Sequence, residues 1–255
     1  TGTASDAMRI LDSCIEEKIP HVGLELGNFF QSIFPDNVNI LLKIGNCAFF
    51  CEKYDLCYDL ITRIKAMTIQ SNFLQLLSHN QFLCIPHVKN RYIHYNNDIV
   101  NKILNRPASK YPIITFTITT CKRYDLFEKT MNSFLNCCTD LDRIDSWFCV
   151  DDNSSEEDRV KMKEKYPFFV FYFKTPQEKG HPRSMNIIRD KVKTPYIFHM
   201  EDDWQFISKR KYISECMDVL SQSDKFGQCL VNRNYAETER DFKILGGIEN
   251  KTNAG

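Results

Sequence analysis

The fold is decided between Pro112 and Met200. There the chain reads PIITFTITT (112–120), DLFEKTMNSFLNCC (125–138), SWFCV (146–150), SEEDRVKMKEKY (155–166), FFVFYFK (168–174), an apolar-periodic stretch from Met185 to Val192, and TPYIFHM (194–200). The first, third, fifth and last pieces are short, rich in β-branched and aromatic residues and bounded by polar ones, as strands are. The pieces between them carry apolar residues at helical spacing on a charged background. Strand and helix in alternation predict an α/β fold with a parallel, doubly wound sheet, in which ligands bind beyond the carboxyl ends of the strands.

Upstream the texture is different. From Ala7 to about Lys102 apolar residues recur at helical spacing (Leu41, Ile44, Cys47, Ala48, Cys51; then Leu56, Leu60, Ile61, Ile64) and strand signals are scarce. VGLELGNFFQSIFPDN (22–37) and DLCYDLITRIKAMTIQSN (55–72) both end in Asn after an apolar helix, a spacing typical of helix-pair repeats. In LLKIGNCAFFCEKYDLCYDLI (41–61) a turn is expected near Lys53 and a second helix from Tyr54, with Gly45 as the small residue that lets neighbouring helices approach; a third unit is expected from Asn72 through Pro86. This order resembles a tetratricopeptide repeat. The polar, proline-containing run RPASKYP (106–112) reads as a linker, so the expected division is an all-α helical-repeat domain over 1–105 and an α/β domain over 113–255.

The 255 residues leave room for two cores. With 33 basic and 33 acidic side chains no net field draws the molecule to nucleic acid or an anionic membrane, so any polyanion must be held locally. Eleven cysteines without scaffold or paired CxxC spacing read as free thiols in a reducing, cytoplasmic setting, which makes the triplets at Asn153 and Asn250 chance glycosylation matches. No apolar run reaches membrane-spanning length.

Two acidic clusters fall where the strands end: Asp151-Asp152 after SWFCV and Glu201-Asp202-Asp203 after TPYIFHM. Adjacent carboxylates repel by about 1 kcal/mol or more unless a cation or hydrogen-bond donors neutralise them. Hard oxygen ligands of this kind suit Mn2+ or Mg2+, which bind through one or two carboxylates plus substrate phosphate.

TITTCKRYDLFEKTMNSFL, VDDNSSEED, GHPRSMNII and YIFHMEDDWQF, in this order, resemble the four successive landmarks of family-two-like glycosyltransferases of the GT-A fold. The resemblance covers residues 113–206 and continues more weakly to about 247; joined to a helical-repeat front, it is similar to transferases of large DNA viruses, which would place the protein in the host cytoplasm. It implies a nucleotide-diphosphate sugar donor, a carbohydrate or protein-linked glycan acceptor and an inverting, metal-assisted transfer. Thr119 and Arg123 would lie along the nucleotide, and Asp152, with Asp151 beside it, at the base or ribose. Arg183 and Asn186 would contact phosphate or brace the loop. Glu201 to Asp203 would fill the DxD position, Asp203 as metal ligand and Glu201 or Asp202 at the ribose or in support. Three departures stand out: Cys121 replaces a base-stacking aromatic, the acidic motif opens with Glu, and Gly255 comes before the family's acceptor half and usual base, which are expected further on or partly from the repeats.

Plainer readings compete at each position. DNSSEED is a good helix-capping sequence, Glu201 to Asp203 could be a solvated turn, Trp204 a core or lid residue, His199 a satisfied core histidine, and Arg183 half of a surface ion pair. VNRNYAET (231–238) would line an acceptor site or form a structural loop. At the level of the whole chain, the rivals are a non-catalytic repeat protein with a degenerate transferase domain and a nucleotidyltransferase. The latter should carry a Gly-rich phosphate loop, and TTCKRYD contains no glycine.

Overall fold

The computed structural model describes residues 2–67 and 71–231. Except for Val231, the segment 231–238 lies outside the described residues, as do Asn250 and the part of the weaker similarity that runs from 232 to 247. The chain gathers into two compact units, one ending at Lys89 and one running from Asn90 to Leu230.

The first unit is all helical: α1 (Ala4–Glu16), α2 (Pro20–Ile33), α3 (Val38–Phe50), α4 (Tyr54–Met67) and α5 (Ser71–Val88). Thr3 and Asp6 form a reciprocal capping box at the start of α1, Pro20 opens α2, and Asn37 caps α3 through the Ile40 amide. The pattern recurs: helix starts advance from Ala4 to Val38 and from Pro20 to Tyr54, 34 residues in both cases. Even the turns repeat, Lys18 (φ 59°) closing the first helix pair and Glu52 (φ 58°) the second. A non-glycine residue in the left-handed region costs roughly 1 kcal/mol, so its return at the same point of both pairs marks one hairpin geometry used twice. Leu11, Ile40, Leu41, Ile44, Ile61, Ile64 and Leu77 fill the core.

One expectation needs correction here. Gly45 is buried, but among the described residues a β-carbon on it would meet only Leu60 Cβ at 3.9 Å, an ordinary contact. The close approaches occur on α2, where a methyl at Gly23 would come within 2.7 Å of Cys47 Sγ and one at Gly27 within 2.9 Å of Ile44 Cγ1. These two glycines, not Gly45, allow α2 and α3 to pack.

The second unit runs α6 (Asn97–Leu104), β1 (Ile114–Thr120), α7 (Tyr124–Cys137), β2 (Ser146–Asp151), α8 (Glu156–Lys165), β3 (Val170–Phe173), α9 (His181–Lys191), β4 (Tyr196–Glu201) and α10 (Tyr212–Ser221). The four strands are parallel, in the order β3-β2-β1-β4, so the unit is α/β. In ITFTITT the pleat sends Ile114, Phe116 and Ile118 into an aromatic core with Phe127, Phe134, Trp147, Phe169 and Phe198, under α7 and α8. The threonines face the other way: Thr115 Oγ1 lies 2.7 Å from Ser146 Oγ, and Thr117 Oγ1 2.9 Å from His199 Nδ1. On that side α9 packs Ile187 and Ile188 against Val150 and Phe148. α9 starts earlier than its apolar periodicity shows, because Gly180 (φ 101°) turns the chain and Pro182 preorganises the first turn.

Residues 90–104, which the sequence groups with the helical repeats, pack with the sheet. Val100 is buried in the aromatic core, Asn132 Nδ2 donates to the Ile93 carbonyl (2.8 Å), and Asn136 Nδ2 donates to the carbonyls of Tyr92 and His94 (both 2.9 Å). The chain thus divides upstream of RPASKYP, since α6 has its apolar partners in the sheet unit.

Candidate active site

The register brings the carboxyl ends of β1, β2 and β4 level: Thr120 is opposite Asp151, and Thr119 is opposite Glu201. β2 and β3 follow β1 on one side and β4 returns on the other, so the strand order reverses between β1 and β4. Doubly wound sheets bind their ligands at this switch point. The loop Cys121–Arg123 and the acidic motif 201–203 flank it.

The three acids of the motif are not equivalent. Asp202 is 1% exposed and turned toward the α7 side, where its carboxylate accepts from Thr120 Oγ1 (2.8 Å) and the Cys121 amide (3.2 Å) and pairs with Arg123 Nη2. Its carbonyl and that of Trp204 lie 2.8 and 2.7 Å from Thr130 Oγ1, and Ser133 Oγ accepts from the Phe206 amide (3.0 Å), so α7 pins the loop after β4. Glu201 and Asp203 are half exposed. Arg123 Nη1 stands 3.8 Å from Asp203 Oδ2, and His181 Nε2 stands 3.8 Å from Glu201 Oε1. Arg123 therefore joins the β1 loop to both final acids of the motif.

At the end of β2 the two aspartates also part. Asp151 is fully buried; it accepts from the Ser154 amide and pairs with Arg159 Nε at 2.7 Å, so its carboxylate is consumed inside the fold. Asp152 is partly open. Burial alone would raise its pKa, but donation from Asn153 Nδ2 (2.8 Å), Lys174 Nζ (3.0 Å) and the Gly180 amide (2.8 Å) outweighs that and holds it below the usual carboxylate range. Three of about four lone-pair sites are taken, leaving one for a ligand.

Thr119 is buried at the end of β1. Asn186 and Arg183 lie exposed on α9, and Arg183 makes a loose 3.5 Å pair with Glu178. Trp204 is partly exposed beside the motif.

Among the described residues no group of three or more His, Cys, Asp and Glu side chains is gathered to hold a metal. The donors that remain open, Glu201 and Asp203, do fit an ion that takes one or two carboxylates and fills its other positions with water and phosphate. Asp202 does not, because it is buried on the α7 side and its charge is already matched by Arg123.

His199 departs from the satisfied core histidine of the sequence reading. Its Nδ1 meets Thr117, but its Nε2 is buried without a partner. Burial, and secondarily His181, lower its pKa to about 4. The folded ring stays neutral where the unfolded one takes up a proton, so stability is full above pH 6.5 and falls as the pH drops toward 4. With the ring partly exposed, the loss is on the order of 2 kcal/mol. Urea unfolding at pH 7 and pH 5 should show His199→Phe less acid-sensitive than the parent; equal sensitivity would clear His199 as its source.

Sequence reasoning missed Lys174, Gly180, Thr120 and Thr130. Only Gly180 carried a signal, a glycine just ahead of a Pro-containing helix start.

No protein-family model and no curated protein matches the chain. Among solved structures, a mutant O-GlcNAc transferase of Thermobaculum terrenum aligns with 76% of this chain and 46% of its own, at 11% identity and a TM-score of 0.24. The chain thus spans less than half the length of that protein, and a likeness this loose carries no argument.

Proposed function

We propose that the protein is a GT-A-type glycosyltransferase that moves a sugar from a nucleotide-diphosphate sugar to an acceptor hydroxyl with inversion, assisted by Mn2+ or Mg2+. The observation that carries this reading is the meeting of Asp152, Arg123 and the Glu201–Asp203 motif at the carboxyl ends of strands beside the switch point of a parallel sheet. Asp203, with Glu201, would hold the metal, which when bound supplies positive charge to the diphosphate leaving group. Asp152 presents its spare lone pair to an N–H or O–H of the nucleoside. Arg123, locked on Asp202, keeps a fixed positive charge at the crevice, and Arg183 exchanges its loose pair with Glu178 for a phosphate oxygen. In this reading the cytoplasm supplies the nucleotide sugar. The 34-residue recurrence supports a tetratricopeptide-like unit, whose helix pairs offer a concave face to the acceptor or a protein partner.

The test is thermal stabilisation by uridine, guanosine, adenosine and cytidine diphosphates with and without manganese. At a hundredfold excess over its dissociation constant the right nucleotide adds about 2.7 kcal/mol. If none of the four stabilises the protein in the presence of manganese, the non-catalytic repeat protein becomes the better reading.

A further inference from the structure

Lys174, directly after β3, is the one lysine among the described residues whose side chain is wholly buried. An ammonium has three protons, and each finds an acceptor: Gly180 O at 2.9 Å, Ser184 Oγ at 3.0 Å and Asp152 Oδ2 at 3.0 Å. Those acceptors belong to the turn before α9, the first turn of α9 and the end of β2. Asp152 in turn accepts from the Gly180 amide, so lysine, carboxylate and glycine close a ring. Its backbone is held as well, with the Lys174 amide on the Asp151 carbonyl (3.0 Å) and its own carbonyl on Arg159 Nη2 (3.1 Å).

Burying an ammonium costs several kcal/mol even when paired, and an apolar side chain of similar length fills such a slot more cheaply. The charge has a positional consequence that a methionine lacks: it fixes the orientation of the Asp152 carboxylate and ties it to the start of α9, where Arg183 stands. We infer that Lys174 is a positioning residue that presents Asp152 and the first turn of α9 as one rigid nucleotide-facing unit. This rests on the function proposed above for Asp152.

The test uses the full chain with Lys174→Met and three readouts. The first is hydrogen exchange at the Gly180 amide, expected to be about tenfold faster when Asp152 is released. The second is the titration of the Asp152 carboxyl carbon by NMR, expected to move up by about one pH unit. The charged groups around it are Lys174 itself and the Asp151–Arg159 pair behind; Glu178 and Arg183 pair with each other. The third is manganese-dependent affinity for the same four nucleoside diphosphates at pH 7, expected to weaken about tenfold as the unit loses its geometry. Lower stability with Gly180 exchange and Asp152 titration unchanged would make Lys174 a filler and overturn the inference, as would shifted local readouts with unchanged affinity. If the parent protein itself binds none of the nucleotides while the local readouts shift, the clamp stands and the proposed function falls. Should Lys174→Met not fold, Ser184→Ala removes one acceptor without stranding a charge, and the same three readouts apply with shifts of about threefold.

Discussion

Asp203→Asn should lower turnover of the donor sugar by on the order of a hundredfold or more while leaving the fold intact. The substitution keeps the volume and removes the charge at the half-exposed last acid of the motif. Among the described residues the one ion pair it makes is the 3.8 Å approach of Arg123, so unfolding free energy should change by less than about 0.5 kcal/mol. Loss of activity without loss of stability is what separates a metal ligand from a structural acid. Donor hydrolysis measured against manganese concentration checks it: the variant should need far more metal and stay slow at saturation. Parental turnover with unchanged manganese dependence would remove Asp203 from the role.

Arg123→Met should destabilise the protein more than Asp202→Ala does, by about 3–5 against about 2–3 kcal/mol. The asymmetry follows from exposure. Arg123 is half exposed, so with Asp202 gone the guanidinium turns to water, and the main cost is a Cys121 amide and a Thr120 hydroxyl without an acceptor. Asp202 is 1% exposed, so with Arg123 gone its carboxylate stays buried with only two neutral donors. The double variant should cost less than the sum of the two, because it leaves no orphaned charge. Urea titrations of the three variants decide this; equal single losses that add would show that the pair is not coupled.

The strands were legible because β-branched and aromatic residues were packed into short runs with clear ends, and the acids stood out because parallel sheets put their ligands at strand termini. Glu201, Asp202 and Asp203 looked alike only as letters. The pleat of β4 already implies that neighbours face opposite sides, but the depth at which Asp202 sits depends on Thr120 and Arg123, about eighty residues earlier. Lys174 reads as an ordinary lysine at a strand end, and nothing local reveals that β3 and α9 meet over it. The amphipathic stretch at 97–104 resembles the helices before it; its attachment to the sheet unit rests on Val100 in the aromatic core and on Asn132 and Asn136 of α7, which hold the Tyr92–His94 carbonyls just ahead of it. Among the glycines of α2 and α3, only the helix crossing shows that Gly23 and Gly27 are the ones pressed against a neighbour.

The two tryptophans of the chain sit in opposite surroundings: Trp147 in the aromatic core and Trp204 partly exposed, one residue past the acidic motif. Each therefore serves as an intrinsic optical label for a different event. Trp147, shielded from water, emits toward the blue and reports the melting of the core; Trp204, within reach of solvent, emits toward the red and is open to collisional quenchers such as iodide or acrylamide. A ligand that settles over the motif protects the second signal and leaves the first untouched, so occupancy and unfolding can be followed separately, in one cuvette, without any attached dye.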